Sequence, residues 1–314
     1  MPIIKHRMVF FSITGALVAA ALLSTIFFGL KLSIDFTGGT LVEFSYLSPE
    51  SAGGVQAGQG GRPPVAMLEN ALKAADFRDY SLREAGANEY ILRTDNLTED
   101  ERRKLAQTLS IGGKYPATIA QLNEIGPTIG AELRSKALLA IGLVMFCILL
   151  FIAFAFRKVS RPISSWIYGG VALVTLIHDV IIPVGFFAIL GHFTGATVDT
   201  LFVTALLTVL GFSIHDTIVV FDRVRENLRL NHEKGRKENF AETAGRALGQ
   251  TITRSINTTL TVVITLLVLY LVGPASTQTF ALTLLVGIVA GTYSSIFLAT
   301  PLLVTIEQYR AKRK

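Results

Sequence analysis

The sequence is short of cysteine, tryptophan, histidine and charge. Of 314 residues, one is Cys, one is Trp, five are His, and 17% are charged. The single Cys147 excludes an internal disulfide, so an oxidising compartment is neither required nor ruled out. It lies inside an apolar run, where a buried thiol filling space is the expected role. Soluble chains carry about 25% charged residues, so this shortage argues against an ordinary soluble protein. No nucleophile–base pair, phosphate-binding loop or metal cluster stands out, which counts against an enzyme and against a bound metal or cofactor.

What is present instead is apolar sequence, 51% of the chain, gathered into runs long enough to cross a bilayer, which takes about 20 helical residues. Six spans are expected, at 8–30, 135–156, 163–190, 200–221, 252–272 and 280–306. Two of them carry one acid each, Asp179 in the third and Asp216 in the fourth. The first run is long for a signal peptide and no small-residue cleavage site follows it, so it reads as an uncleaved span.

Lys and Arg fix an orientation. Lys5 and Arg7 precede span one, and Arg157, Lys158 and Arg161 separate spans two and three. Eight more lie from Arg223 to Arg254, and four from Arg310 to Lys314. The opposite short loops, 191–199 and 273–279, have none. Residues 1–7, a basic loop at 222–251 and a basic tail at 307–314 are therefore expected in the cytoplasm, with a domain at 31–134 outside, in the periplasm. The net charge of +6 is explained by this topology and by anionic lipid headgroups, and requires no nucleic acid.

The outer segment has a legible order. Thr40 to Tyr46 alternates as a strand does. Residues 51–62 are Gly-rich and read as an insertion. Pro63 and Pro64 open a helix reaching about Asp76. Tyr80 to Arg83 and Tyr90 to Thr94 read as strands joined at Gly86-Ala87-Asn88. Thr98 with Glu101 forms a capping-box pattern for a helix ending near Gly112-Gly113, and Thr118 to Ile125 is a last strand. The order βαββαβ predicts a small α+β ferredoxin-like sandwich.

Charged residues within a span are costly and usually serve transport. Asp216 lies about 22 Å into span four at the helical rise, and Ser213, Asp216 and Thr217 share one face. On span five, Arg254, Asn257, Thr258, Thr261 and Thr265 form a polar stripe. Two readings fit. A movable Arg254 could switch the proton affinity of Asp216, or the two could form a static ion pair with Arg254 snorkelling to the interface. His178-Asp179 and His215-Asp216 repeat one dipeptide on neighbouring spans, a relay or a chance repeat in packed helices, with packing the favoured role for the histidines. Thr283, Gly287, Gly291 and Ser295 place a small residue every fourth position of span six, which suits close helix packing. After span one, Asp35 beside Gly38-Gly39 reads as a turn-shaping carboxylate.

Three stretches carry a resemblance. Ile34-Asp35-Phe36-Thr37-Gly38-Gly39-Thr40, the run from Gly211 to Asn227, and Thr253-Arg254-Ser255-Ile256-Asn257-Thr258-Thr259 resemble signatures of the SecD/SecF family of the RND superfamily. The single outer domain of roughly 100 residues matches its SecF branch, whose order of elements covers nearly the whole chain. The resemblance implies an RND-type half of six spans in the inner membrane, working without catalysis beside SecD and the SecYEG channel. YajC and YidC are further implied partners, and an unfolded preprotein is the passenger. It also implies that late translocation is driven by the proton-motive force, with Asp216 and Arg254 as the coupling pair. Asp179, His215, Ser213, Thr217, Asn257 and Thr258 would be accessory polar residues. Two positions depart from the pattern: His215 stands where the family commonly has Asn, and residues 51–62 enlarge a normally compact domain.

Overall fold

The computed structural model describes residues 2–46, 62–77, 80–85, 88–157, 163–236 and 238–313. The chain forms two compact units, one from Met1–Lys31 with Leu138–Lys314 and one from Leu32–Ala137. The Gly-rich stretch 51–61, the turn residues Gly86 and Ala87, and Lys158 and Arg161 lie outside the described residues.

Among the described residues, six helices are long and apolar enough to cross a membrane: Arg7–Phe28, Pro127–Ala155, Ser165–Thr194, Thr200–Glu233, Phe240–Val272 and Thr277–Ala311. Spans three, four and six are the most enclosed, and spans one, two and five present mostly uncovered faces. Tyr168, Leu176, Leu210, Phe221 and Leu303 sit in the main core. Small residues set the closest approaches. A methyl group on Gly291 would come within 2.8 Å of Ser213 Cβ, and one on Gly287 would overlap Val209, so span six lies directly on span four. On span three, Gly185 stands equally close to Ala21 of span one. Removing a side chain lets backbones touch, which is the packing mode favoured where lipid supplies no hydrophobic drive.

Span six is not uniform. A regular helix, Ala275–Ser294, passes into a π-helical turn at Ser295–Ala299 and resumes as Thr300–Ala311. Pro301 lies just beyond this turn and offers no N–H to the preceding turn, so a normal α-helical bond is missing there.

Two expectations are corrected. Residues 222–251, expected as a loop, are mostly helix: span four runs on to Glu233 and span five starts at Phe240. Spaced ion pairs hold the extensions, Arg223 with Glu226 at 2.5 Å, Asp222 with Arg225, and Arg229 with Glu233 at 3.5 Å. Asn231, Glu238, Thr243 and Arg246 then tie the helical hairpin together. Cys147 is exposed on the outer side of its helix and fills no core space, because span two buries very little of itself against the rest of the chain.

The second unit has β1 (Gly39–Tyr46), a helix at Val65–Ala74, β2 (Tyr80–Glu84), β3 (Glu89–Thr94), a helix at Glu99–Leu109 and β4 (Ala117–Ile125). The sheet is antiparallel in the order β2-β3-β1-β4, with a bulge between Glu43 and Phe44 on the β1–β4 side. This is the ferredoxin-like order the sequence predicts. Val42, Phe44 and Tyr46 alternate inward and meet Leu68, Leu72, Leu105 and Leu109 of the two helices. The capping box forms: Thr98 N–H donates to Glu101 Oε2 at 2.8 Å, and Glu101 N–H donates to Thr98 Oγ1 at 3.4 Å. Both helices end slightly early, at Ala74 and Leu109, because Asp76 and Ile111 turn to positive φ.

Candidate functional site

Span four carries a buried polar face at mid-helix, and its neighbours meet it with hydroxyls. Ser213, Asp216 and Thr217 are all buried. Ser213 Oγ donates to Asp179 Oδ2 on span three. Ser294 Oγ of span six reaches the same oxygen at 2.9 Å while also lying 3.0 Å from the Gly291 carbonyl, so its one proton is shared. Thr217 Oγ1 lies 3.0 Å from Ser295 Oγ, at the first residue of the π-helical turn. The Ser295 hydroxyl also lies 2.9 Å from the Gly291 carbonyl and 3.3 Å from that of Ser213. Extra width in a π-turn tilts side chains off the regular stripe, and such turns are frequent at functional sites.

Asp216 is 4% exposed, and its Oδ2 has no hydrogen-bond partner. The Ser255 hydroxyl, fully enclosed on span five, is unpartnered as well. His215 and Arg254 act on the carboxylate by charge, and Ser255 is the hydroxyl set beside it. No ion pair within 4.0 Å joins Asp216 to Arg254 among the described residues.

The rest of the expected set divides. Asp179 is completely buried. His215 and Asn257 face outward, and Thr258 is half-buried. Arg254, Thr261 and Thr265 are exposed too, so most of the polar stripe of span five points away from this chain's own helices. Neighbouring residues on a helix differ by about 100° in direction, and here Ser255 and Thr259 take the inward face. Thr259 Oγ1 lies 2.6 Å from Thr292 Oγ1 of span six. Sequence reasoning missed Ser255, Thr259, Thr292 and Ser294. Their signal was weak, single hydroxyls in apolar runs, although Ser255 and Thr259 do stand four residues apart.

The signature turn is built by close approach. Ser33 caps a short helix, Ile34–Thr37, accepting from Asp35 N–H at 3.1 Å. Gly38 and Gly39 follow with φ of 81° and 122°. A methyl group on Gly38 would meet the Pro127 Cα at 2.8 Å, and one on Gly39 would meet the Thr94 carbonyl at 2.6 Å. A methyl group on Gly130 would likewise lie 2.8 Å from Gly38 N. Positive φ and backbone contact together leave room for glycine alone.

Among the described residues, no group of three or more His, Cys, Asp or Glu is placed to hold a metal ion.

Comparison with known proteins agrees with this arrangement. Residues 107–309 match the family model for the C-terminal region of the protein export membrane proteins SecD and SecF, and residues 23–46 match that for the SecD/SecF GG motif. The chain is 39% identical to protein translocase subunit SecF of Thermobaculum terrenum, over 97% of this chain and 93% of the relative. Identity to the SecF subunit of Anaerolinea thermophila is 37%, over 97% and 94%, and to that of Pseudomonas aeruginosa 33%, over 95% and 89%. Among solved structures, SecDF of Thermus thermophilus, described as translocon-associated, superposes with a TM-score of 0.81 at 29% identity. The match takes in 99% of this chain and 39% of that longer one. On these matches, the chain belongs to the SecD/SecF family of protein export membrane proteins, on its SecF side.

Proposed function

We propose that this chain is the SecF-type accessory subunit of a Sec translocase, paired with a SecD-type six-span partner and driven by proton movement through Asp216. The observation that carries the reading is the Asp216 carboxylate, almost fully enclosed yet with one oxygen unpartnered, in the field of a cation one helix away. An enclosed carboxylate without full hydrogen bonding is easily neutralised. Proton entry at Asp216 removes its attraction for Arg254, and spans four and five then favour a different arrangement. One charge moved through 100 mV supplies about 2.3 kcal/mol, which biases a two-state motion roughly 50-fold. The same site chemistry serves Na⁺ less well, because a hard cation asks for several oxygens together.

The outward polar stripe of Arg254, Asn257, Thr261 and Thr265 supports the pairing with a second membrane subunit, since these groups are costly against lipid. Inner-membrane placement with both termini cytoplasmic follows from the Lys and Arg bias of the short loops. The SecYEG channel, YajC and YidC are the further partners of this reading, and an unfolded preprotein is the load. The chain contributes motion and has no catalytic role of its own.

Vesicles holding the chain with its SecD-type partner provide the test. Asp216→Asn should abolish gradient-dependent preprotein release and proton flux while membrane assembly stays normal. Wild-type rates in that variant would remove Asp216 from the mechanism.

A further inference from the structure

A second buried titratable group lies one helix away from Asp216 and has no part in the scheme above. Asp179 is fully enclosed, and His178 is 3% exposed. His178 Nδ1 lies 2.8 Å from Asp179 Oδ1, and Asp179 Oδ2 accepts from Ser213 and Ser294. An ionised carboxylate only accepts, so Nδ1 carries the ring proton and the lone pair falls on Nε2. That Nε2 is buried and has no partner.

The charge balance is what makes this arrangement unusual. No Lys or Arg exists between Met8 and Phe28 of span one, between Ala137 and Phe156 of span two, or between Phe280 and Ile306 of span six. The groups that face the dyad from the packed spans are Ser213 of span four, and Ser294 and Tyr293 of span six. Asp216 and the outward-facing His215 lie further along span four, and Glu307 lies near the far end of span six. Among the described residues, the base in contact with Asp179 is therefore His178. With a neutral ring, the dyad is a buried net charge of −1; with one more proton on Nε2, it is a neutral ion pair.

The ring is also held in place. It stacks on Tyr293 with centroids 6.2 Å apart, and the Tyr293 hydroxyl lies 3.3 Å from both Thr14 Oγ1 and the Phe10 carbonyl on span one. A nitrogen lone pair with no oxygen cage suits a proton and does not suit Na⁺.

We propose that His178, oriented by Asp179, is a second proton-binding site of this chain, linked to Asp216 through Ser213, which touches one site and stands a single helical turn from the other. The proton adds to Nε2, no bond other than N–H forms, and the dyad passes from net −1 to net zero. Proton entry here relaxes the demand of Asp179 for the Ser213 and Ser294 hydroxyls, and so loosens span four from spans three and six.

The test is ¹⁵N NMR of imidazole nitrogens in the reconstituted full chain with its SecD-type partner. The His178 signal is assigned by its loss in His178→Asn. Should that variant not assemble, a chain with His6, His192, His215 and His232 replaced leaves His178 as the sole imidazole. The expected result is one protonated nitrogen at about pH 9 and two at about pH 5. The companion result is proton flux reduced at least about tenfold in His178→Asn, a variant whose amide can still donate to Asp179. A ring that keeps one protonated nitrogen throughout, or unchanged flux in His178→Asn, overturns the proposal and leaves the Asp216 reading untouched. Normal flux in Asp216→Asn with a titrating His178 does the reverse.

Discussion

At the scale of single residues, the turn after span one makes the sharpest demand. Gly38 combines φ of 81° with a backbone neighbour 2.8 Å from where a Cβ would stand. Gly38→Ala should cost the Leu32–Ala137 unit about 1–3 kcal/mol, and more if Pro127 cannot move aside. Thermal unfolding of the chain in detergent, followed by tryptophan-independent circular dichroism, would register this as a lower midpoint. An alanine variant with an unchanged midpoint would mean that the turn relaxes freely. Glu238 is a second residue with a defined expectation. Burial pushes its carboxyl up, but hydrogen bonds from Asn231 and Thr243 and the Arg246 guanidinium outweigh burial and hold it below the usual carboxylate range. A depressed folded-state value means that its stabilisation is present at neutral pH and is lost as pH falls through that value. Glu238→Gln should therefore destabilise by on the order of 1 kcal/mol at pH 7, a modest figure because the site is partly wet. The gap to wild type should close as pH falls below the ordinary carboxylate range.

At the scale of elements, close packing of span six on span four rests on Gly287 and Gly291. Gly287→Leu would force Val209 and the helix axes apart, a cost of about 1–3 kcal/mol for an overpacked contact. Assembly yield and proteolytic resistance in membranes should both fall, whereas Gly142→Leu, where nothing lies within 4 Å, should be tolerated. Elements of this kind were mostly legible in the sequence. Length without charge marks a span, and the two-residue alternation of Val42, Phe44 and Tyr46 marks a half-covered strand. What failed was the reading of 222–251 as a loop. Charges there look like solvent-exposed linker, yet Asp222–Arg225 and Arg223–Glu226 pairs are spaced for a helix, and Asn231 and Thr243 hold two such extensions together. On span five, Arg254 and Asn257 dominate the polar stripe read from spacing, while the buried positions fall to modest Ser255 and Thr259. Helical phase is set by which neighbour a face meets, and that information lies in other parts of the chain.

At the scale of the molecule, Cys147 provides a convenient reporter, because it is the only cysteine in the sequence and is exposed on span two. In membranes it should resist a charged, water-soluble maleimide and react with a lipid-soluble one. Rapid reaction with the charged reagent would place that face in an aqueous path. Span four, finally, is one unbroken helix of 34 residues from Thr200 to Glu233, about 50 Å long at the helical rise. Both of its ends project well away from Asp216 and Ser213. A rod of that length works as a lever. Pivoting it by about 10° near its midpoint sweeps each end through roughly 4 Å in opposite directions. Small local changes at the buried acids thus become displacements the size of a side chain on the two sides of the membrane at once.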